Sequence, residues 1–412
     1  MKVTQEILQS YARLIARSGA NVRPGQVVQL SISVEQAPFA LLLAEECYEA
    51  GAKKVNVEWQ SDGLSRLHFQ YAAQETLGTV LPWEEAKAKQ MVEDLPCRIY
   101  IASEDPDALA GISPDKLSFV GRSRARVLKR YRNAIDGKHQ WTIAAYPSEK
   151  WAKKCFPEDE AETAVQKLWD AVLKTVRIDG EHDPVAAWKA HSDFITAKAA
   201  WLNEQGFRFL RYSSANGTDF TVELIPGAHW EGAGAVNKVN GAAYIPNMPT
   251  EEIFTAPDRN RCEGVIYAAL PLSKDGNVIE NIRFVVKDGQ IVEASATANE
   301  ELLRKSIAVD EGASRFGEVA LVPYDSPISN SKTLFYNTLF DENAACHLAF
   351  GEAYPMTVEG ALDMSEEERR AHGLNTSITH VDFMVGTADL SIDGYTADGR
   401  CVPVFRDGNF VF

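Results

Sequence analysis

The chain has 412 residues, 45% hydrophobic and 24% charged, with a formal charge of −16 and a pI near 5.1. That length exceeds what one core usually supports, so two domains are expected. The acidic balance argues against a nucleic-acid partner, which would need a basic face to neutralise phosphate.

The first segment, MKVTQEILQSYARLIARSG, reads as an amphipathic helix over 4–17. Thr4 is its expected N-cap, Gly19 its stop, and Ile7, Leu8, Tyr11, Leu14 and Ile15 share one side. It lacks the unbroken apolar run and small-residue cleavage site of a signal peptide. No stretch approaches the roughly 18–20 apolar residues of a membrane span, so no membrane partner is expected. Cys47, Cys97, Cys155, Cys262, Cys346 and Cys401 are scattered with no CxxC. They read as reduced thiols of a cytoplasmic protein, without a cysteine zinc site.

GQVVQLSIS reads as a strand, QAPFALLLAEECYEAG as a helix ended by Gly51, and KKVNVEW as a second strand. Strand, helix and strand in that order predict a parallel βαβ unit. CRIYIAS and WTIAAYP read as further buried strands, with the basic helix PDKLSFVGRSRARVLKRYRNAI between them. Its run of Arg122, Arg124, Arg126, Lys129, Arg130 and Arg132 reads as a solvated face or an interdomain contact. The first strand is not followed by a G-x-G-x-x-G loop, so dinucleotide binding has no support.

Helical patterns occupy 160–176 and 184–205, with EHDP near 182 marking a boundary. From 207 the texture changes to hairpins, with turns at Asn216-Gly217 and Asp288-Gly289 and more at the C-terminal end. One helix candidate, ANEELLRKSIAVD, precedes FGEVAL. The expected organisation is an α/β domain over 1–182 with an open, largely parallel sheet. A mixed, mostly antiparallel β domain with a few helices follows over 183–412.

Six candidate metal ligands lie in that second half: Glu252, Glu318, Glu342, His347, His380 and Asp382. Four carboxylates and two imidazoles suit a pair of divalent cations sharing a bridging group, whereas a lone catalytic zinc usually takes three protein ligands. His380 and Asp382 alternate in THVDFMV, so both point to one face of a strand, away from Val381 and Phe383. Read alone, the pair is more often a solvated strand face. Glu318 opens the apolar run EVALVP and is either a strand-end charge or a ligand on a rigid element. Glu251 and Glu252 adjoin, so one at most faces the metals. Glu342 and His347 are five apart, so a turn must intervene if both bind metal, and Ala344 and Ala345 would let the backbone approach closely.

Cys346 beside His347 reads as a buried inert thiol rather than a nucleophile. His372, one residue before Gly373, reads as a helix C-cap. His229 lies in a glycine-rich loop, and His68, His139, His182 and His191 carry no ligand spacing.

Taken together and in this order, NMPTEEIFTAP, FGEVALVPYDSPIS, TLFYNTLFDENAACHLAFGEAY and NTSITHVDFMVG resemble the thermophilic-type metallo-aminopeptidases, the group of aminopeptidase T, aminopeptidase S and PepS. The resemblance runs the length of the chain and is strongest from about 245 to 390. It implies that Glu252, Glu318, Glu342, His347, His380 and Asp382 hold two divalent ions (Zn, Co, Mn or Mg), with Glu318 bridging. It implies Tyr354 beside the metals, an enclosed cavity and a homodimer. The activity it implies is removal of N-terminal residues from short peptides; a carboxylate near the shared water, Glu251, is then the expected proton acceptor. Two other readings stay open: a two-metal phosphoesterase, disfavoured by the few basic residues near the ligands, and a binding protein with a structural cation.

Overall fold

The computed structural model describes residues 2–274 and 276–412. The chain divides into two units. The first reaches to Ala190 and takes in Gly234–Pro249, and the second comprises His191–Ala233 and Thr250–Phe412.

Four apolar strands make the parallel sheet of the first unit, in the order Lys54–Gln60, Val27–Ser33, Cys97–Ala102, Trp141–Ala145. Parallel neighbours cannot be joined by tight turns, so helices such as Ala37–Glu49 and Pro114–Ile135 supply the crossovers. The first helix, Gln5–Leu14, is capped as expected: Thr4 Oγ1 accepts the Ile7 N–H at 3.3 Å. The helix continues as a π turn, Ile15–Gly19. The Tyr11 hydroxyl donates to the Ala145 carbonyl at 2.8 Å, tying this helix to the last strand. Gly234–Pro249 joins the same sheet, since Ile143 N–H donates to Pro246 O at 2.7 Å and Met248 N–H to Ile143 O at 2.9 Å. The basic run of Pro114–Ile135 is partly paired: Arg124 meets Glu84 at 2.6 Å and Arg130 meets Glu85, both on the helix Pro82–Asp94.

The second unit is built mainly from two antiparallel sheets. The larger runs Gln290–Ser295, Arg283–Lys287, Pro257–Tyr267, Asp219–Leu224, Phe207–Ser213, Ser391–Thr396, Cys401–Arg406, Asn409–Phe410. Asp288 (φ +49°) and Gly289 (φ +73°) form the expected tight turn. A side chain at 289 would also strike Arg259 O, at 1.9 Å from its Cβ. At Asn216-Gly217 the turn is wider, closed by Ser214 N–H on Thr218 O, and only Gly217 has positive φ. The smaller sheet runs His380–Met384, His347–Gly351, Phe316–Leu321, Ile253–Thr255, Glu231–Gly232. Aromatic rings from both sheets share one core: Phe220 on Phe316 at 5.6 Å and Phe284 on Phe383 at 5.1 Å between centroids. Each buried ring contributes about 1.5–3 kcal/mol. Glu318 lies inside its strand, which starts at Phe316, rather than at the strand's mouth.

No helix among the described residues is long and apolar enough to cross a membrane. All six cysteines are free, and Cys47, Cys97, Cys262 and Cys346 are buried.

Candidate metal centre

The small sheet has a hydrophobic face and an ionisable one, and strand pairing decides which side chain goes where. In antiparallel pairs, opposite residues share a face. Val319, Leu348 and Phe383 form one cross-strand row and enter the aromatic core. The next row is Glu318, Ala349 and Asp382, on the other face. Glu318 and Asp382 sit two strands apart, roughly 9–10 Å at the backbone. The small Ala349 between them leaves room for both carboxylates to lean inward. His380, two residues before Asp382, follows on the same face. The alternation expected of THVDFMV is met, with His380 Nε2 at 3.2 Å from Asp382 Oδ1.

His347 begins the middle strand, and the 3₁₀ turn Glu342–Ala344 precedes it. A turn thus intervenes between Glu342 and His347, as joint metal binding by the two would need. Glu251 and Glu252 fall just before the strand Ile253–Thr255, both buried. They diverge as expected: Glu252 Oε2 lies 3.3 Å from His347 Nε2, while Glu251 Oε2 lies 3.6 Å from His191 Nε2.

Glu318 is the hub. Its Oε2 is 3.1 Å from His380 Nε2, and its Oε1 is 3.9 Å from His347 Nε2. Two groups of three result, Glu252–Glu318–His347 and Glu318–His380–Asp382, each with one ligand atom per residue within 4.8 Å of the others. Glu342 belongs to neither group, but its carboxyl is pushed well up by burial and then by the charges of Asp382 and Glu252.

The donor set fits divalent cations. His347 Nδ1 lies 3.2 Å from Ala345 O, and His380 Nδ1 lies 2.7 Å from Glu352 O. A carbonyl only accepts, so each Nδ1 carries the hydrogen and each Nε2 faces the carboxylates. A neutral Nε2 lone pair so close to carboxylate oxygens is repulsive unless positive charge lies between them. Protons supply that charge where metal does not. Burial lowers the His347 pKa, but Glu252, Asp382 and Glu318 outweigh it and raise it to about 10. Burial likewise opposes protonation of His380, and Asp382 and Glu318 hold its pKa well above the usual range. Burial pushes Glu318 up, against the pull of His380. Buried Asp382 Oδ1 has no hydrogen bond of good geometry despite its nearness to His380. Carboxylate and imidazole ligands with carbonyl-oriented histidines are what zinc-like or harder divalent ions accept.

Tyr354 stands beside the cluster, its ring centroid 4.8 Å from that of His380 and 5.8 Å from that of Phe254. Packing around the phenol, and then the charges of Glu318 and Asp382, raise its pKa. Tyr354 keeps 41% of its surface exposed, which limits how much of that rise burial supplies.

A cavity of about 200 Å³ adjoins the centre. Glu342, His380 and Asp382 form part of its wall, with Lys274, Tyr336 and Asp341 also lining it. Asp341 accepts the N–H groups of Phe335 at 2.7 Å and Asn337 at 3.0 Å, which pins the intervening Tyr336 at φ +55°. Burial pushes the Asp341 carboxyl up to about 7, against those two amides.

Two side chains around the candidate ligands, buried Asn343 and half-buried His191, were given no role from the sequence. Asn343 Oδ1 accepts the Glu251 N–H at 2.7 Å, and its Nδ2 donates to Leu339 O at 3.2 Å. His191 Nε2 meets Thr250 O at 2.8 Å. Asn343 stands next to Glu342, which was the available signal; His191 had none. The blander readings of other residues hold. Cys346 is buried, its Sγ bonded to the Val322 carbonyl, and burial pushes its thiol up to about 12. His372 caps the helix Glu366–Ala371. The His229 ring meets Glu231, at 2.9 Å.

The Thermophilic metalloprotease (M29) family model matches residues 4–410 of this chain. The chain belongs to the M29 thermophilic metalloprotease family. It is 45% identical to aminopeptidase PepS of Streptococcus thermophilus over 409 residues, 99% of this chain and 98% of that relative. Aminopeptidase T of Thermus aquaticus is 40% identical over the whole of both chains. The structure of wild-type AmpT from Thermus thermophilus superposes with a TM-score of 0.92 at 37% identity, covering 100% of each chain. Membership of M29 implies divalent metal ions, which agrees with the chemistry of the donor set.

Proposed function

We propose that the chain is a two-metal aminopeptidase that removes N-terminal residues from short peptides. One observation carries this reading: Glu318 turns one carboxylate oxygen toward each of two histidines. A single carboxylate serving two half-sites suits a bridged ion pair better than one ion. The names of the relatives, all aminopeptidases, support the reaction class.

Glu252 and His347 would hold one ion, His380 and Asp382 the other, with Glu318 shared. Glu342, buried and repelled by the same carboxylates, completes the six. Zinc or cobalt suits the two imidazoles, and manganese or magnesium the carboxylate-rich remainder. Such ions supply a water acidified to a pKa of about 7 and an electrophile for the scissile carbonyl.

The chain's own residues have separate tasks. Glu251, buried next to a ligand, accepts the proton of the attacking water and passes it to the leaving amine. Tyr354, with its hydroxyl held protonated, donates to the developing oxyanion. The acidic wall of the cavity favours the free α-ammonium of a peptide, which selects its N-terminus. We further propose a homodimer in the reduced cytoplasm; the free cysteines support the compartment.

The test is a panel of aminoacyl-nitroanilides with and without chelator. Amine release should vanish with chelator and return with added Zn²⁺ or Co²⁺. Release that survives exhaustive chelation would remove the metallo-aminopeptidase reading. Cleavage of phosphate esters but not anilides would favour a phosphoesterase.

A further inference from the structure

The cavity beside the metal centre has two kinds of wall. Glu342, His380 and Asp382 make one of them, ionisable and continuous with the candidate ligands. Leu272 and Met384, both buried, belong to the other. Met384 follows His380 and Asp382 at two-residue intervals on one strand, so all three point to the same face. A single strand thus leads from charge to hydrocarbon. Tyr336 lines the same space and is half-buried.

Tyr336 is held there at a conformational cost. Its φ of +55° lies in the left-handed region, where a β-carbon is crowded. Among the described non-glycine residues with positive φ, it alone lines this cavity. Its neighbours fix it from both sides. Phe335 is fully buried and stacks on Phe340 at 4.7 Å between centroids. Asn337 caps the helix Thr338–Asp341 by accepting the Leu339 N–H at 3.1 Å. Asp341 closes the loop through the N–H groups of Phe335 and Asn337, and the Tyr336 amide lies against the same carboxylate. Glu342 follows directly, so one short segment sets both the ring and a candidate ligand. Backbone held in a sparsely populated conformation by so many contacts is characteristic of sites that touch a ligand.

We infer that the Tyr336 ring packs against an apolar side chain on the substrate's N-terminal residue and so sets which residues are removed. The inference rests on the aminopeptidase reading and deepens it. The ionisable wall suits the α-ammonium of a peptide, and the first side chain leaves the same α-carbon as that ammonium. With the ammonium at the Glu342 and Asp382 wall, the side chain meets Tyr336, Leu272 and Met384. Size points the same way. A cavity of about 200 Å³ is smaller than the roughly 300–1,000 Å³ of pockets for drug-sized ligands. It takes one side chain rather than a length of peptide. The face of the ring makes this contact, whatever the hydroxyl bonds.

The test is the ratio of kcat/KM for leucyl- and alanyl-nitroanilide, with metal content measured alongside. Tyr336→Gly removes the ring, and glycine adopts positive φ freely, so the loop should keep its path. Its leucyl-to-alanyl ratio should fall about tenfold, the lower end of what one group in an apolar pocket contributes to discrimination. Metal content should not change. Tyr336→Phe keeps the ring and should keep the native ratio. A ratio unchanged in Tyr336→Gly, or lost equally in Tyr336→Phe, overturns the inference. So does an effect confined to the second residue, read as a changed Leu-Leu to Leu-Gly ratio beside an intact nitroanilide ratio. If Tyr336→Gly does not fold, the native protein and Tyr336→Phe decide: a leucyl preference of about tenfold or more in both supports the ring, and near-equal rates for the two nitroanilides overturn it. Hydrolysis of neither nitroanilide by the metal-loaded native protein would instead defeat the aminopeptidase reading, and the inference with it.

Discussion

Asn343 Oδ1 accepts the backbone N–H of Glu251 at 2.7 Å, while its Nδ2 donates to Leu339 O at 3.2 Å and approaches Glu342 Oε1 at 3.5 Å. One fully buried side chain thus ties the Glu251-Glu252 segment to the turn that carries Glu342. In Asn343→Ala the Glu251 N–H is left buried without an acceptor, a cost of about 1–3 kcal/mol. Groups that orient metal ligands typically affect metal affinity or activity by about 10–100-fold. Asn343→Ala should therefore lose metal at lower chelator concentration than the native protein. Equal metal retention and equal kcat would show Asn343 to be only a packing residue.

Glu318→Gln should cost more than Asn343→Ala, because it weakens both half-sites at once. Activity should fall by more than the roughly 100-fold upper range for orienting groups. Metal analysis should find fewer than two ions per chain, with the circular dichroism spectrum preserved. Turnover close to native would exclude Glu318 from the centre.

Tyr354→Phe removes one hydroxyl near His380 and leaves the ring contact intact. If that hydroxyl donates to the oxyanion, kcat should fall about 10²–10³-fold, or about 2.7–4 kcal/mol. Metal content should not change. Steady-state kinetics alongside metal analysis separates this outcome from loss of metal, and an unchanged kcat would reduce Tyr354 to packing.

His139, in the first unit, provides a pH test away from the metal centre. It is 5% exposed, its Nδ1 donates to Ile135 O at 2.9 Å, and its Nε2 is buried without a hydrogen bond. Burial, and then the charge of Arg98, lower its pKa. The folded chain therefore resists a proton that the unfolded chain accepts near pH 6.5. Its contribution to stability is complete above that pH and is lost as pH falls through 6.5 toward the lower folded value. The loss is at most about 1.4 kcal/mol per pH unit. His139→Asn keeps a donor for Ile135 and does not titrate, so urea denaturation should show a shallower acid-side decline. Identical slopes for variant and native protein would refute this account.

The residue types of the candidate centre were easier to read than its geometry. His-x-Asp in a strand fixes its own geometry, because a two-residue repeat puts both side chains on one face. Glu251 and Glu252 also had to diverge, being neighbours. The position of Glu318 within its strand was misjudged because Gly317 looked like a strand boundary. It is instead a close-approach site, where an added Cβ would lie 2.3 Å from Glu352 O. The two residues flanking Glu251, Asn343 and His191, are separated from it by 92 and about 60 positions and share no motif with it. The basic run of Pro114–Ile135 read as solvent-facing or interdomain because its acidic partners lie on another helix.

Local chemistry alone determined the helices, the strands, the parallel and antiparallel character of the two halves, and the residue types of a metal site. These follow from side-chain period, turn residues and ligand chemistry, all of which act over a few positions. Only tertiary structure decided that Ala349 would leave a gap between Glu318 and Asp382, and that Gly234–Pro249 would return to the first sheet. Those outcomes depend on which strands pair and in what register, and backbone hydrogen bonds between distant segments set that without regard to the side chains they bring together.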